Sequence, residues 1–129
     1  MIYAPYFSPQ ELACRCGCGI GEANMRPRFM ARLIALRKRL GFPLNITSAA
    51  RCPAHNSRVS GTGPHGPHTT FRAVDIRVSG AHALAVVSEA PRFGFTGVGV
   101  AQKGPHGKRF IHLDDLEPPH FPRPGLWSY

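Results

Sequence analysis

HTTFRAVDIRV, residues 68–78, is where a long loop passes into a strand, and the reading of the fold grows outward from it. AVDIRV at 73–78 reads as a strand. Before it, residues 49–70 are rich in Gly, Pro, Ser and His, a loop too long to be purely structural in so small a domain. Upstream of the loop, LNITS at 44–48 alternates Leu44 and Ile46 with polar residues, as a short strand does. Downstream, 81–90 (AHALAVVSEA) has the pattern of a small amphipathic helix ended by Pro91, and FTGVGVAQ (95–102) and RFIHLDD (109–115) read as two strands of a hairpin turning around Gly104 and Pro105. A longer helix is predicted from about Arg26 to Leu40. Phe29, Leu33, Leu36 and Leu40 recur at helical spacing with Met30 and Ile34 beside them, Arg32, Arg37, Lys38 and Arg39 lie largely on the other side, and Gly41 stops it. Asn24 is its expected cap, and Pro27 sits in its first turn. Residues 1–24 form an irregular leader in which Ser8-Pro-Gln-Glu11 has the pattern of a capping box. The tail, 116–129, is broken by prolines and reads as an extended strap. Helices and antiparallel strands are segregated, so the expected class is α+β: one small domain over 1–129, an antiparallel sheet with flanking helices.

The totals agree with one domain. The chain has 129 residues, 43% of them apolar, with 14 Gly and 13 Pro favouring ordered loops over long elements. There is no run of about 18 apolar residues to span a membrane. The opening MIYAPYFSPQEL lacks the basic start and apolar stretch of a secretory signal, so the expected location is the cytosol until something releases the protein. Net charge is +9, carried by 16 basic residues against 7 acidic ones. Such a surface is drawn to polyanions such as an anionic cell envelope. No recognised nucleic-acid module accompanies the charge, and nucleic acid is not the expected partner. Cys14, Cys16 and Cys18 alternate in CRCGCG while Cys52 stands apart. A second, structural metal site with Cys52 as fourth ligand, free thiols and a disulfide all remain open for these four.

His68 and Asp75 are seven positions apart, too far for one helical turn. With His68 at the end of the loop and Asp75 on the strand, both can reach one point, and zinc accepts imidazole nitrogen and carboxylate oxygen together. A third ligand would have to come from elsewhere. His112, flanked by Ile111 and Leu113, should share a strand face with Phe110 and Asp114. By spacing alone, a loop histidine and a satisfied strand histidine explain the pattern as well.

Three ordered segments, SAARCPAHN (48–56), GPHTTFRAVDI (66–76) and FIHLDD (110–115), resemble the M15 peptidases, which include zinc D-Ala-D-Ala carboxypeptidases and bacteriophage endolysins. The resemblance runs from FSPQEL to FIHLDD, and the cysteine-rich leader and closing RPGLWSY look like a phage and prophage branch. It implies an α+β core around one Zn²⁺ held by His68, Asp75 and His112. It implies hydrolysis of an amide bond in a peptidoglycan stem peptide, by a monomer that waits in the host cytoplasm as an endolysin. In the family's S-x-x-R motif the arginine faces the site, which here is Arg51. A guanidinium there can hold a substrate oxygen and neutralise the developing oxyanion. Ser48 is expected to support Arg51, and His55 and Asn56 to order the loop.

The chain departs from the family twice. Several relatives carry a carboxylate three residues before the last zinc histidine, and Arg109 stands there instead. Asp114, on the strand face of His112, is expected either to support that histidine or to be the general base, for which it is the first choice, with His106 and His65 as alternatives; Asp115 should point away. Phe71 occupies a stretch where relatives show small residues, often glycine, which touches specificity more than the ligand set. Two rival readings carry the same site: a virion-associated wall peptidase, and a non-catalytic zinc module that binds the wall.

Overall fold

The computed structural model describes all 129 residues. Its elements run α1 (Pro9–Leu12), α2 (Pro27–Leu40), β1 (Ile46–Ser48), α3 (Pro53–Val59), β2 (Ala73–Arg77), α4 (Gly80–Glu89), β3 (Gly97–Ala101), β4 (Phe110–Asp114) and β5 (Gly125–Ser128). Short 3₁₀ turns cover Pro67–Thr70, Ala90–Phe93 and His106–Lys108. The five strands form one sheet in the order β1-β2-β4-β3-β5. Every pairing is antiparallel except β3 with β5. The α+β class holds, and the C-terminal strap turns out to end as a parallel edge strand.

Alternation of side chains gives the sheet two unlike faces. Val74 and Ile76 of β2, Ile111 and Leu113 of β4 and Val98 of β3 point to one face and join Phe29, Met30, Leu33 and Leu36 of α2 in a core of 20 buried residues. Burying each of these large side chains contributes about 1.5–3 kcal/mol. The stripe predicted for α2 is therefore its core face, with Ile34 and Leu40 half-buried at the margins. Gly41 adopts φ 77°, a left-handed conformation that glycine enters without steric cost, and its N–H closes the helix on the carbonyl of Arg37. Asn24 does not cap α2. The capping position is Arg26, with no side-chain cap, and the Asn24 Oδ1 instead accepts from the N–H of Gly21 at 3.0 Å. The Ser8–Glu11 capping box forms as expected.

The stretch 49–70 is not all loop. Pro53 starts the seven-residue α3, which has no apolar stripe and so left no periodic signal. On the other sheet face, the pairing register lines up one residue from each strand: Ser48, Asp75, His112, Gly99 and Trp127. The next row on that face is Ala73, Asp114, Gly97 and Gly125. The topology thus sets Asp75 beside His112 and leaves two glycines in β3 under whatever β5 and the tail bring over.

Candidate metal centre

His68, Asp75 and His112 are all buried, and their ligand atoms lie within 4.8 Å of one another. Asp75 Oδ1 sits 3.2 Å from His68 Nε2 and 3.1 Å from His112 Nδ1. His68 reaches this point from the 3₁₀ turn after the loop, while Asp75 and His112 are direct cross-strand neighbours. The outer nitrogens favour one tautomer in each neutral ring. His68 Nδ1 donates to the Ala49 carbonyl at 2.8 Å, since a carbonyl only accepts. His112 Nε2 donates to Asp114 Oδ2 at 2.7 Å. With both rings neutral, the inner nitrogens present lone pairs to the Asp75 carboxylate oxygen, a set of acceptors that a cation or a ring proton satisfies. Ligand radii of about 2.0–2.1 Å around tetrahedral zinc give edges of about 3.3 Å, close to the spacing seen here. This set can hold a metal ion, and its outer hydrogen bonds are of the kind that orient metal ligands.

Without a metal, a proton on His112 meets the same carboxylate oxygen. Burial pushes the Asp75 carboxyl up, but His68 and His112 outweigh it and hold the group well below the usual carboxylate range. For His112 burial pulls the imidazole down, and hydrogen bonds to Asp114 and Asp75 override it, leaving the group raised. Asp114 is fully buried. Burial pushes it up, yet His112 and Arg123 bring it down to about 2. Its Oδ1 accepts from Arg123 Nε at 2.9 Å and its Oδ2 from Arg123 Nη2 at 2.8 Å as well as from His112. Of the two roles expected for Asp114, this geometry favours support of His112 over that of general base: the carboxylate has no exposure to solvent, Oδ2 holds His112 and Arg123, and Oδ1 is taken by Arg123. Asp115 does point away, pairing with Arg32 and Arg72.

Arg51 lies at the wall of the same cleft. Ser48 Oγ accepts from its Nε at 3.0 Å, Asn56 Oδ1 from its Nη1 at 3.1 Å, and Asp75 Oδ2 lies 3.5 Å from its Nη2. Asn56, buried to 1% exposure, also donates to Thr62 Oγ1 and the Gly63 carbonyl, so it ties the loop 60–66 to Arg51. His55 contributes to order through its backbone N–H, 3.3 Å from Cys52 Sγ. Of the two alternative proton carriers, His65 lines the cleft and His106 does not; His106 is exposed on the β3–β4 connection. Arg109 turns to the Gly104 carbonyl at 2.9 Å.

The cleft encloses about 500 Å³ and is lined by Phe110, Phe121, Trp127 and Tyr129 together with Arg51 and His65. Most of this wall comes from the tail. The Trp127 ring lies 5.2 Å from His112, and the Arg123 guanidinium packs over it at 4.8 Å while pairing with Asp114. Reading the sequence did not find Arg123, Trp127 or the Ala49 carbonyl. The glycine pair in FTGVGV was the available signal. A Cβ on Gly97 would stand 2.6 Å from Arg123 Nε, and one on Gly99 2.6 Å from Trp127 Nε1.

Phe71 has φ 64°, the left-handed region, which accounts for glycine serving well in this stretch. Its ring packs at the edge of the core.

No curated protein matches the chain. The family model described as peptidase M15 matches residues 5–114, a span that holds all three candidate ligands and Arg51, and the chain belongs to that peptidase family.

Proposed function

We propose that the protein is a zinc-dependent peptidase that hydrolyses an amide bond in the peptidoglycan stem peptide. One observation carries the reading: two imidazoles, each anchored through its outer nitrogen, and one carboxylate bring their inner ligand atoms to a single point in a cleft. Zn²⁺ held there would supply Lewis acidity, activating water and polarising the scissile carbonyl. The chain's own residues do the rest. Arg51, pre-positioned by Ser48 and Asn56, neutralises charge developing on the carbonyl oxygen. His65, on the cleft wall, takes the proton from the attacking water and returns it to the leaving amine as the C–N bond breaks. The aromatic wall shields the site from bulk water. The net charge of +9 holds the protein to an anionic envelope, and release into the wall as a phage or prophage endolysin is the role we assign.

Incubation with purified sacculi tests this. Release of new amino groups, abolished by chelator and restored by Zn²⁺, is expected, and mass analysis of the muropeptides fixes the bond. Arg109 in place of a carboxylate favours a second reading, a wall-binding zinc module. Retention on sacculi with no new amino groups would establish that reading and sink the first. A virion-associated role shares the chemistry and would show as the protein in purified particles.

A further inference from the structure

The four cysteines do not take part in the cleft chemistry, yet they converge. The sulfurs of Cys14, Cys16, Cys18 and Cys52 all lie within 4.8 Å of one another. Cys14 Sγ is 3.5 Å from Cys16 Sγ, which is 3.6 Å from Cys52 Sγ. A Zn–S bond of about 2.3 Å gives a tetrahedral S···S edge of about 3.8 Å. A disulfide would bring two sulfurs to about 2.05 Å. The backbone wraps to make this possible: Gly17 and Gly19 take φ 79° and 95°, and the Cys14 N–H is tied to the Ile20 carbonyl at 2.8 Å. Two N–H groups point at sulfur, Cys52 N–H to Cys14 Sγ at 3.4 Å and His55 N–H to Cys52 Sγ at 3.3 Å. Such donors stabilise metal-bound thiolates. Arg15, between the first two cysteines, anchors its guanidinium on the carbonyls of Gln10, Glu11 and Ala13, keeping a positive charge beside the cluster.

We infer that Cys14, Cys16, Cys18 and Cys52 form a second, closed zinc site that is structural. Four soft sulfurs select zinc over harder cations, and with no open position such a site does no hydrolysis. Each thiol gives up its proton when the ion binds. The consequence is positional. Cys52 follows Arg51 directly and caps α3, so the ion would pin the leader to the segment that presents Arg51 and Asn56 to the cleft.

Elemental analysis joined to non-denaturing mass spectrometry of the intact chain, purified with reductant, tests this. Two zinc ions per chain are expected, falling to one in His68→Ala and to one in Cys16→Ser or Cys52→Ser. Because a cysteine variant could fail to fold, two measurements stand beside it. Titrating the native protein with a mercurial should release one zinc as four thiols react. Cobalt loaded into His68→Ala should show intense thiolate-to-cobalt charge-transfer absorption, retained in His68→Ala/Cys16→His. One zinc in the native chain with four freely reactive thiols, or a mass lowered by the hydrogens lost to a disulfide, would overturn the inference.

Discussion

Replacing Arg123 with alanine tests how the metal centre is braced. Its side chain is 7% exposed and its guanidinium spans both oxygens of Asp114, which is fully buried and holds His112 Nε2. Removing one partner of a buried ion pair costs about 3–5 kcal/mol, because the other charge stays behind. Domains of this size have about 5–15 kcal/mol in all, so the variant should be marginal rather than unfolded. Asp114 can relieve the strain by taking up a proton, but it then loses its hold on His112 as a charged acceptor. Changes to such outer partners typically weaken metal binding about 10–100-fold. Arg123→Lys keeps the charge but cannot bridge both oxygens, and should fall between. Urea unfolding of the metal-free protein and zinc competition against a chromophoric chelator read the two effects separately. Arg123→Ala unfolding within about 0.5 kcal/mol of the native chain, with unchanged zinc affinity, would refute the bracing argument.

Arg51→Ala should retain zinc and lose about 10²–10³-fold in kcat on muropeptides, the usual scale for one oxyanion donor; metal analysis beside the rate separates this from loss of the site. Gly97→Ala should destabilise by about 1–3 kcal/mol in thermal or urea unfolding, since its methyl would collide with Arg123 Nε and Asp114 Cγ, both 2.6 Å from the new Cβ. Phe71→Ala should be less stable than Phe71→Gly by about 1 kcal/mol, because alanine loses the ring and keeps the left-handed cost while glycine loses only the ring. Zinc affinity, read by the same chelator competition, should fall with acid, beginning above the ordinary histidine value of 6.5. His112 is raised in the metal-free protein, so its proton competes with the ion below that raised value and ceases to do so as pH climbs through it. Affinity flat from pH 8 to 6, about the range over which neutral histidines gain protons, would contradict this.

What could be read from the sequence follows from how local each signal is. The stripe of Phe29, Leu33 and Leu36 and the alternation around Ile111 and Leu113 report which face is buried, and these fixed α2 and β4. His112 and Asp114 fall on one face by the same rule, but the rule is silent on whether a carboxylate meets solvent. The saturation of Asp114 depends on Arg123, nine residues on and beyond a turn, and no periodicity encodes that. Helix α3 escaped because seven residues with one buried side chain, Asn56, carry no stripe. Strand β5 escaped because Pro122 and Pro124 before it read as a break, although GLWS itself pairs in full with β3.

The division of labour within the cleft bears on specificity. Ligands and Arg51 lie inside the matched span 5–114, whereas Phe121, Arg123, Trp127 and Tyr129 lie after it. The row Ser48–Asp75–His112–Gly99–Trp127 shows why both parts are needed at one spot. Its left half sets out two of the three candidate ligands and the support for Arg51; its right half is a glycine that lets an indole from the tail lie against His112. A metal centre built this way can be common to a family while its far wall changes with the tail. Exchange of Trp127 for leucine should therefore shift KM among stem peptides of different side chain while zinc content stays constant, and a variant that lost zinc instead would place Trp127 in the brace rather than the wall.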